Sequence, residues 1–162
     1  IGITLHLELN KLGIKNDIYL SEVSKDALVV TKKNVDLLVS DRANITILHS
    51  DLLAAFPQEV RFDLLVANLP YIPSQRIEYL DDSVKEFEPR IALDGGPEGL
   101  TLIQKFLAQA PAYLKPVGEI ILEVDHTHRE DELRPKDYQL RIENRQDSFG
   151  QQRVAVIQVA HP

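Results

Sequence analysis

Asn68-Leu69-Pro70-Tyr71 is the stretch whose residue types and spacing could do chemistry. It follows Phe62-Asp63-Leu64-Leu65-Val66-Ala67, a short apolar run that reads as a buried strand. An amide side chain, a proline-stiffened carbonyl and an aromatic ring therefore stand at the carboxyl end of a strand. Those are the parts needed to hold a planar NH2 group and aim its nitrogen. The Asn68 side-chain carbonyl can accept one N–H, and the Pro70 carbonyl can accept the other. Tyr71 can stack on the flat group that carries the nitrogen. Pro70 fixes its own φ and pushes Leu69 into extended geometry, so the loop is pre-shaped. Asn and Pro are also ordinary turn residues, and a strand ending in a plain turn accounts for the tetrapeptide equally well.

The loop resembles the [N/D]-P-P-[Y/F] loop of methyltransferases that use S-adenosylmethionine (SAM) and methylate exocyclic or amide nitrogens. A second stretch sharpens that. Glu86-Phe87-Glu88-Pro89-Arg90-Ile91-Ala92-Leu93-Asp94-Gly95-Gly96-Pro97-Glu98-Gly99-Leu100, taken with Asn68-Leu69-Pro70-Tyr71-Ile72-Pro73, closely resembles the HemK/PrmC family. These are the N5-glutamine methyltransferases that modify the Gly-Gly-Gln loop of peptide chain release factors. The similarity extends to Ser24–Leu28, to Leu114–Gly118 with Ile120–Glu123, and to Asp147–Val154. Leu69 departs from the family's usual first proline, which removes one backbone restraint and leaves an N–H.

The resemblance implies SAM as cofactor, a release factor as protein partner, no direct nucleic-acid or membrane partner, and a cytoplasmic enzyme. It implies catalytic roles for Asn68, Pro70 and Tyr71, with Leu69 completing the substrate loop and Asn68 also bordering the cofactor. Glu22, at the end of a strand, takes the place of the acid that accepts hydrogen bonds from both ribose hydroxyls. Asp51 resembles the group that binds the adenine amino group, and Leu52 would pack on the adenine face. Each has a plainer reading beside it: Glu22 as a surface acid, Asp51 as the cap of a helix start. An amide nitrogen is a poor nucleophile because its lone pair is delocalised. Gripping both hydrogens would orient it, and the sulfonium supplies the leaving group. No general base of shifted pKa is needed.

The elements that must position these residues alternate. Strands are expected at Asp17–Val23, Asn44–Ser50, Phe62–Ala67 and Val117–Val124, and helices at Ser24–Val39, with Ser24 as cap, and Pro97–Leu114. In the second helix Leu100, Ile103, Leu107, Ala110 and Leu114 form one apolar stripe. Ser74–Pro89 reads as a loop with a helical turn. Tyr138–Asn144 and Arg153–Ala160 read as a hairpin turning near Gly150. Residues 1–12 fit both a strand and a helix pattern; the family resemblance implies helix. The expected fold is α/β, a Rossmann-like SAM-dependent methyltransferase fold with a mostly parallel sheet and a C-terminal antiparallel hairpin.

The 162 residues are one domain's worth, read as a partial methyltransferase catalytic domain. Eighteen basic against 25 acidic residues, net −7, argue against a grip on a long nucleic-acid backbone. There is no cysteine for a disulfide or thiolate metal site, and no apolar run long enough to span a bilayer. Asp125-His126-Thr127-His128 reads as a solvated loop rather than a metal site, Arg129–Glu132 as a solvated helix face, and His6, His49 and His161 as isolated. Methionine is absent even at residue 1, so the chain is expected to be a fragment. The family's glycine-rich SAM loop, the first strand before it and the N-terminal domain would precede it. That strand would lie between Asp17–Val23 and Phe62–Ala67, and the chain alone is expected to be poorly active. Three other functions fit parts of this pattern: a ribosomal-protein glutamine methyltransferase, a nucleic-acid adenine or cytosine methyltransferase, and an inactive remnant.

Overall fold

A computed structural model describes residues 1–134 and 140–159. The chain divides into two compact units, Ile1–Val60 and Arg61–Pro162.

The first unit contains α1 (Gly2–Lys11), β1 (Ile18–Glu22), α2 (Lys25–Leu38) and β2 (Ile45–His49). In residues 1–12 the helix pattern prevails. Its reason is visible at His6, which is buried and far from isolated. His6 and Asn10 share a helix face at a spacing of four, and the His6 ring is bracketed by Asn10 Nδ2 at 2.9 Å and Asn16 Oδ1 at 2.7 Å. A strand would send those side chains apart. α2 begins where the Ser24 hydroxyl accepts the Ala27 N–H at 3.3 Å, and it buries Leu28 and Val35. β1 and β2 pair in parallel from Ile18↔Ile45 to Glu22↔His49.

The second unit contains β3 (Phe62–Ala67), the single-turn helices α3 (Asp82–Lys85) and α4 (Arg90–Leu93), α5 (Thr101–Gln109), β4 (Leu114–Glu123), β5 (Leu140–Gln146) and β6 (Gln152–Val159). Its four-stranded sheet runs β3-β4-β6-β5, with β3 and β4 parallel and the other pairs antiparallel. The expected helix at Pro97–Leu114 is shorter than its apolar stripe. Gly99, at φ 76°, turns the chain before α5 can start. Pro111 has no N–H to extend it, so residues 110–113 tighten into a 3₁₀ turn. All five stripe residues are buried nonetheless, with Ile103 and Leu107 fully enclosed. Enclosing each such side chain contributes about 1.5–3 kcal/mol.

Lys115 and Pro116 lie inside β4 rather than after a helix. The register skips from Phe62↔Leu114 to Leu64↔Glu119, and this irregularity accommodates Pro116 and Gly118. β5 and β6 form the expected hairpin. Its turn is tied by the Asp147 carboxylate, which accepts the Phe149 and Gln151 N–H groups at 2.8 and 3.0 Å. The hairpin's expected ends at Tyr138, Gln139 and Ala160 lie outside the described residues, as does His161. Among the described residues, neither β1 nor β3 has a strand on its second edge. No helix of the described residues is long and apolar enough to cross a membrane.

Candidate active site

Each unit carries part of the expected set at the carboxyl ends of its parallel strands, where ligands of open α/β sheets bind. In the second unit the pairs Leu65↔Ile120 through Ala67↔Leu122 put Asn68 and Glu123 next at the ends of β3 and β4. Asn68 is exposed, and among the described residues nothing hydrogen-bonds its carboxamide. The Tyr71 hydroxyl donates to Glu123 Oε1 at 3.0 Å, which fixes the ring relative to β4. Burial, and next the Glu123 carboxylate, push the Tyr71 phenol above its usual range, so it stays a donor at neutral pH.

The backbone of this loop is clasped by the Asp94–Gly99 stretch. Ile72 N–H donates to the Leu93 carbonyl at 3.1 Å, Gly95 N–H to Ile72 at 2.9 Å, and Ser74 N–H to Gly96 at 2.9 Å. The Asp94 carboxylate accepts from the Ser74 hydroxyl at 2.5 Å, the Gly96 N–H at 3.0 Å and Arg90 Nε at 3.1 Å. Those bonds, the Ser74 one foremost, hold the Asp94 carboxyl below the usual carboxylate range. A Cβ on Gly95 would stand 2.7 Å from the Pro70 carbonyl oxygen, and one on Gly99 2.1 Å from that of Tyr71. The glycines therefore do more than permit turns: they let backbone lie on backbone directly behind Asn68-Leu69-Pro70-Tyr71.

Replacing Tyr71 by Phe keeps the ring and deletes only the bond to Glu123. The expected cost is about 1 kcal/mol. For a chain of this size that is a fall of about 2–4 °C in melting temperature, read by calorimetry.

In the first unit Glu22 closes β1. Its Oε1 accepts the Ser24 N–H at 2.8 Å, and its backbone carbonyl accepts the Ser50 N–H at 3.0 Å. Asp51 and Leu52 follow β2, so Glu22 and this pair meet at one end of the two-strand sheet. Asp51 does not cap a helix: residues 52–55 are turns. Leu52 has φ 53°, a costly conformation for a branched side chain. The buried Ser50 hydroxyl holds it there, donating to the Leu52 carbonyl at 2.8 Å and accepting the Ala55 N–H at 3.0 Å.

Relatives align along most of this chain. A release factor glutamine methyltransferase of Clostridium acetobutylicum is 32% identical over 154 residues, 93% of this chain and 53% of its own length. One of Bacillus cereus is 33% identical over 132 residues, 81% and 44% of the two chains. One of Geobacter sulfurreducens is 37% identical over 103 residues, 64% and 35%. Over the part that aligns, the chain is similar to the release factor glutamine methyltransferases of the HemK/PrmC family. It spans about a third to a half of the length of these curated HemK/PrmC relatives. No family model matches it.

Solved structures agree on the fold. A ribosomal protein L11 methylase from Lactobacillus delbrueckii subsp. bulgaricus superposes with TM-score 0.62 at 18% identity, covering 98% of this chain and 65% of that one. TrmN from Thermus thermophilus gives 0.61 at 20%, covering 98% and 42%. The chain thus has the Rossmann-like methyltransferase fold, α/β with an antiparallel hairpin.

Two expectations about the segment after β4 are corrected. Asp125–His128 is not a solvated loop: Asp125 and His128 are buried. Burial alone would raise the Asp125 carboxyl, but the Thr127 hydroxyl and N–H, at 2.6 and 2.9 Å, overcome it and hold it low. Arg76 Nη1 stands 3.4 Å from its other oxygen. Arg129–Glu132 is a turn rather than a helix face, anchored by the enclosed Leu133. The sequence did not single out Glu123, Asp125 and Ser50, which engage Tyr71, Arg76 and Leu52. The alternation of apolar and polar positions that marks a strand says nothing about what its last residue holds.

Proposed function

We propose that this chain is part of the catalytic domain of an enzyme that transfers a methyl group from SAM to the N5 amide of the glutamine in the Gly-Gly-Gln motif of a peptide chain release factor, in the cytoplasm. The observation that carries this reading is the Asn68 carboxamide, unengaged among the described residues and standing at the end of β3 on a loop whose backbone is clasped by the Leu93–Gly99 stretch. The names of the HemK/PrmC relatives support the substrate.

The residues at the end of β1 and β2 suit the nucleoside part of SAM. The Glu22 carboxylate spends one oxygen on the Ser24 N–H, and its Oε2 takes no hydrogen bond among the described residues, leaving acceptor capacity for a ribose hydroxyl. Leu52 offers an apolar surface for adenine, and Asp51 a carboxylate for its amino group. When bound, SAM supplies a methyl group on a positively charged sulfur.

In the second unit, Asn68 and the Pro70 carbonyl take the two hydrogens of the substrate amide, and Tyr71 packs on its plane. The Pro70 oxygen accepts no hydrogen bond among the described residues, although Gly95 lies close on one side. Holding both N–H groups turns the nitrogen lone pair in one direction. Orientation of that kind reaches about 7–11 kcal/mol in favourable cases.

The test is transfer of radiolabelled methyl from SAM by the full-length enzyme. Release factor should be labelled, and a release factor with the motif glutamine changed to alanine should not. Labelling of ribosomal protein or RNA instead would overturn the assignment.

A further inference from the structure

The imidazole of His128 is buried, and among the described residues neither ring nitrogen makes a well-formed hydrogen bond, the Glu98 carbonyl being a weak acceptor beside it. An apolar side chain would fill the place without orphaned polar atoms, so packing alone does not account for a histidine there. Its surroundings do. The His128 N–H donates to the Asp125 carbonyl at 3.0 Å, and its own carbonyl accepts Gln152 Nε2 from β6 at 3.0 Å, so the ring is aimed by two backbone anchors. Its Nε2 lies 3.2 Å from where a Gly99 Cβ would be, and that same point is 2.1 Å from the Tyr71 carbonyl oxygen. The imidazole and the Tyr71 carbonyl thus crowd the same side of Gly99.

We propose that His128 is a positioning residue for the substrate loop: its neutral ring packs at the face of Gly99 that also meets the Tyr71 carbonyl, and so seats both backbones. The proposal rests on the methyl-transfer reading for its catalytic consequence, though not for the contact itself. Charging the ring would place a cation against packed backbone and draw water in, unseating both. Burial pushes the His128 imidazole below its ordinary range. Asp125, the Glu98 carbonyl and Glu132 pull the other way, and Arg76 adds to the lowering. The neutral, seated form therefore prevails at neutral pH and is lost on acidification.

Two arms test this in the full-length enzyme. In the first, kcat is followed from about pH 8 to about pH 5, around the histidine range. Wild type should show an acid limb that His128→Gln lacks, with His128→Gln within about threefold of wild type at the alkaline end. His128→Leu should lower kcat at least about tenfold while the KM for SAM moves less than about twofold. In the second arm, amide exchange at Ile72, Gly95 and Gly99, corrected for intrinsic rates, should accelerate as the His128 ring titrates by NMR. An unchanged acid limb in His128→Gln, or exchange indifferent to the titration, overturns the proposal. Absence of any methyl transfer by wild type would sink the functional reading alone. The exchange arm, which needs only the wild-type fold, would still decide the seating.

Discussion

Asn68→Ala in the full-length enzyme is expected to lower kcat about 10²–10³-fold while leaving SAM affinity within a few-fold. The size comes from the removal of one preorganised partner of the reacting group, which costs about 2.7–4 kcal/mol where such partners have been deleted from enzymes. The specificity of the effect comes from what Asn68 does not do. Its carboxamide is exposed and engages no described residue, so truncation leaves no buried group unpaired and the fold is expected to melt as wild type does. An amide that held the loop together would behave oppositely, lowering stability along with turnover. Asn68→Asp separates geometry from charge. A carboxylate still accepts one N–H, so Asp should recover part of the loss. Stopped-flow single-turnover rates beside calorimetric SAM binding give the two numbers. Turnover unchanged in Asn68→Ala would remove Asn68 from the chemistry, and an equal loss in both quantities would move it to the cofactor.

The order of elements was legible in the sequence because burial writes itself as periodicity. The stripe from Leu100 to Leu114 fills the core as its pattern requires, and Ile120, Leu122 and Val124 do the same for the later run, whereas Phe62–Ala67 buries only Leu65 and leaves Val66 exposed. The candidate loop was legible for a different reason: proline and glycine state backbone conformation directly. Where the reading failed, the cause was cross-chain contact. Nothing in Asp125-His126-Thr127-His128 shows that Arg76, nearly fifty positions earlier, meets Asp125, or that Gly99 leaves room for an imidazole. A polar tetrapeptide reads as solvated until its partners are known. Ser50 escaped notice likewise, because only the left-handed backbone of Leu52 gives its hydroxyl a task. In residues 1–12 two periods coincided, and it was the His6, Asn10 and Asn16 network, joining residues across a turn, that decided between them.

Gly99→Ala should be the most destabilising of the glycine substitutions with positive φ in the second unit, and the reason can be isolated by comparison with Gly150→Ala. Both residues have nearly the same backbone, φ 76° and 78°. The left-handed conformation costs alanine about 1–2 kcal/mol in either place. At Gly150 nothing lies within 4 Å of the new methyl, so that is the whole expected penalty. At Gly99 the methyl would stand 2.1 Å from the Tyr71 carbonyl oxygen and 3.0 Å from its carbon. This backbone cannot step aside cheaply, because the next residue, Ile72, is hydrogen-bonded on both sides, to the Leu93 carbonyl and the Gly95 N–H. Relief means breaking those bonds, and the same methyl would also press on the His128 ring at 3.2 Å. A total above about 4 kcal/mol is the range reached only by strain or core disruption. At about 2–4 °C per kcal/mol for a chain of this size, Gly99→Ala should melt at least about 8 °C below wild type and Gly150→Ala only a few degrees below. Equal shifts in scanning calorimetry would mean that Tyr71 yields to the methyl, and the clasp behind Asn68-Leu69-Pro70-Tyr71 would then be too soft to orient a substrate amide.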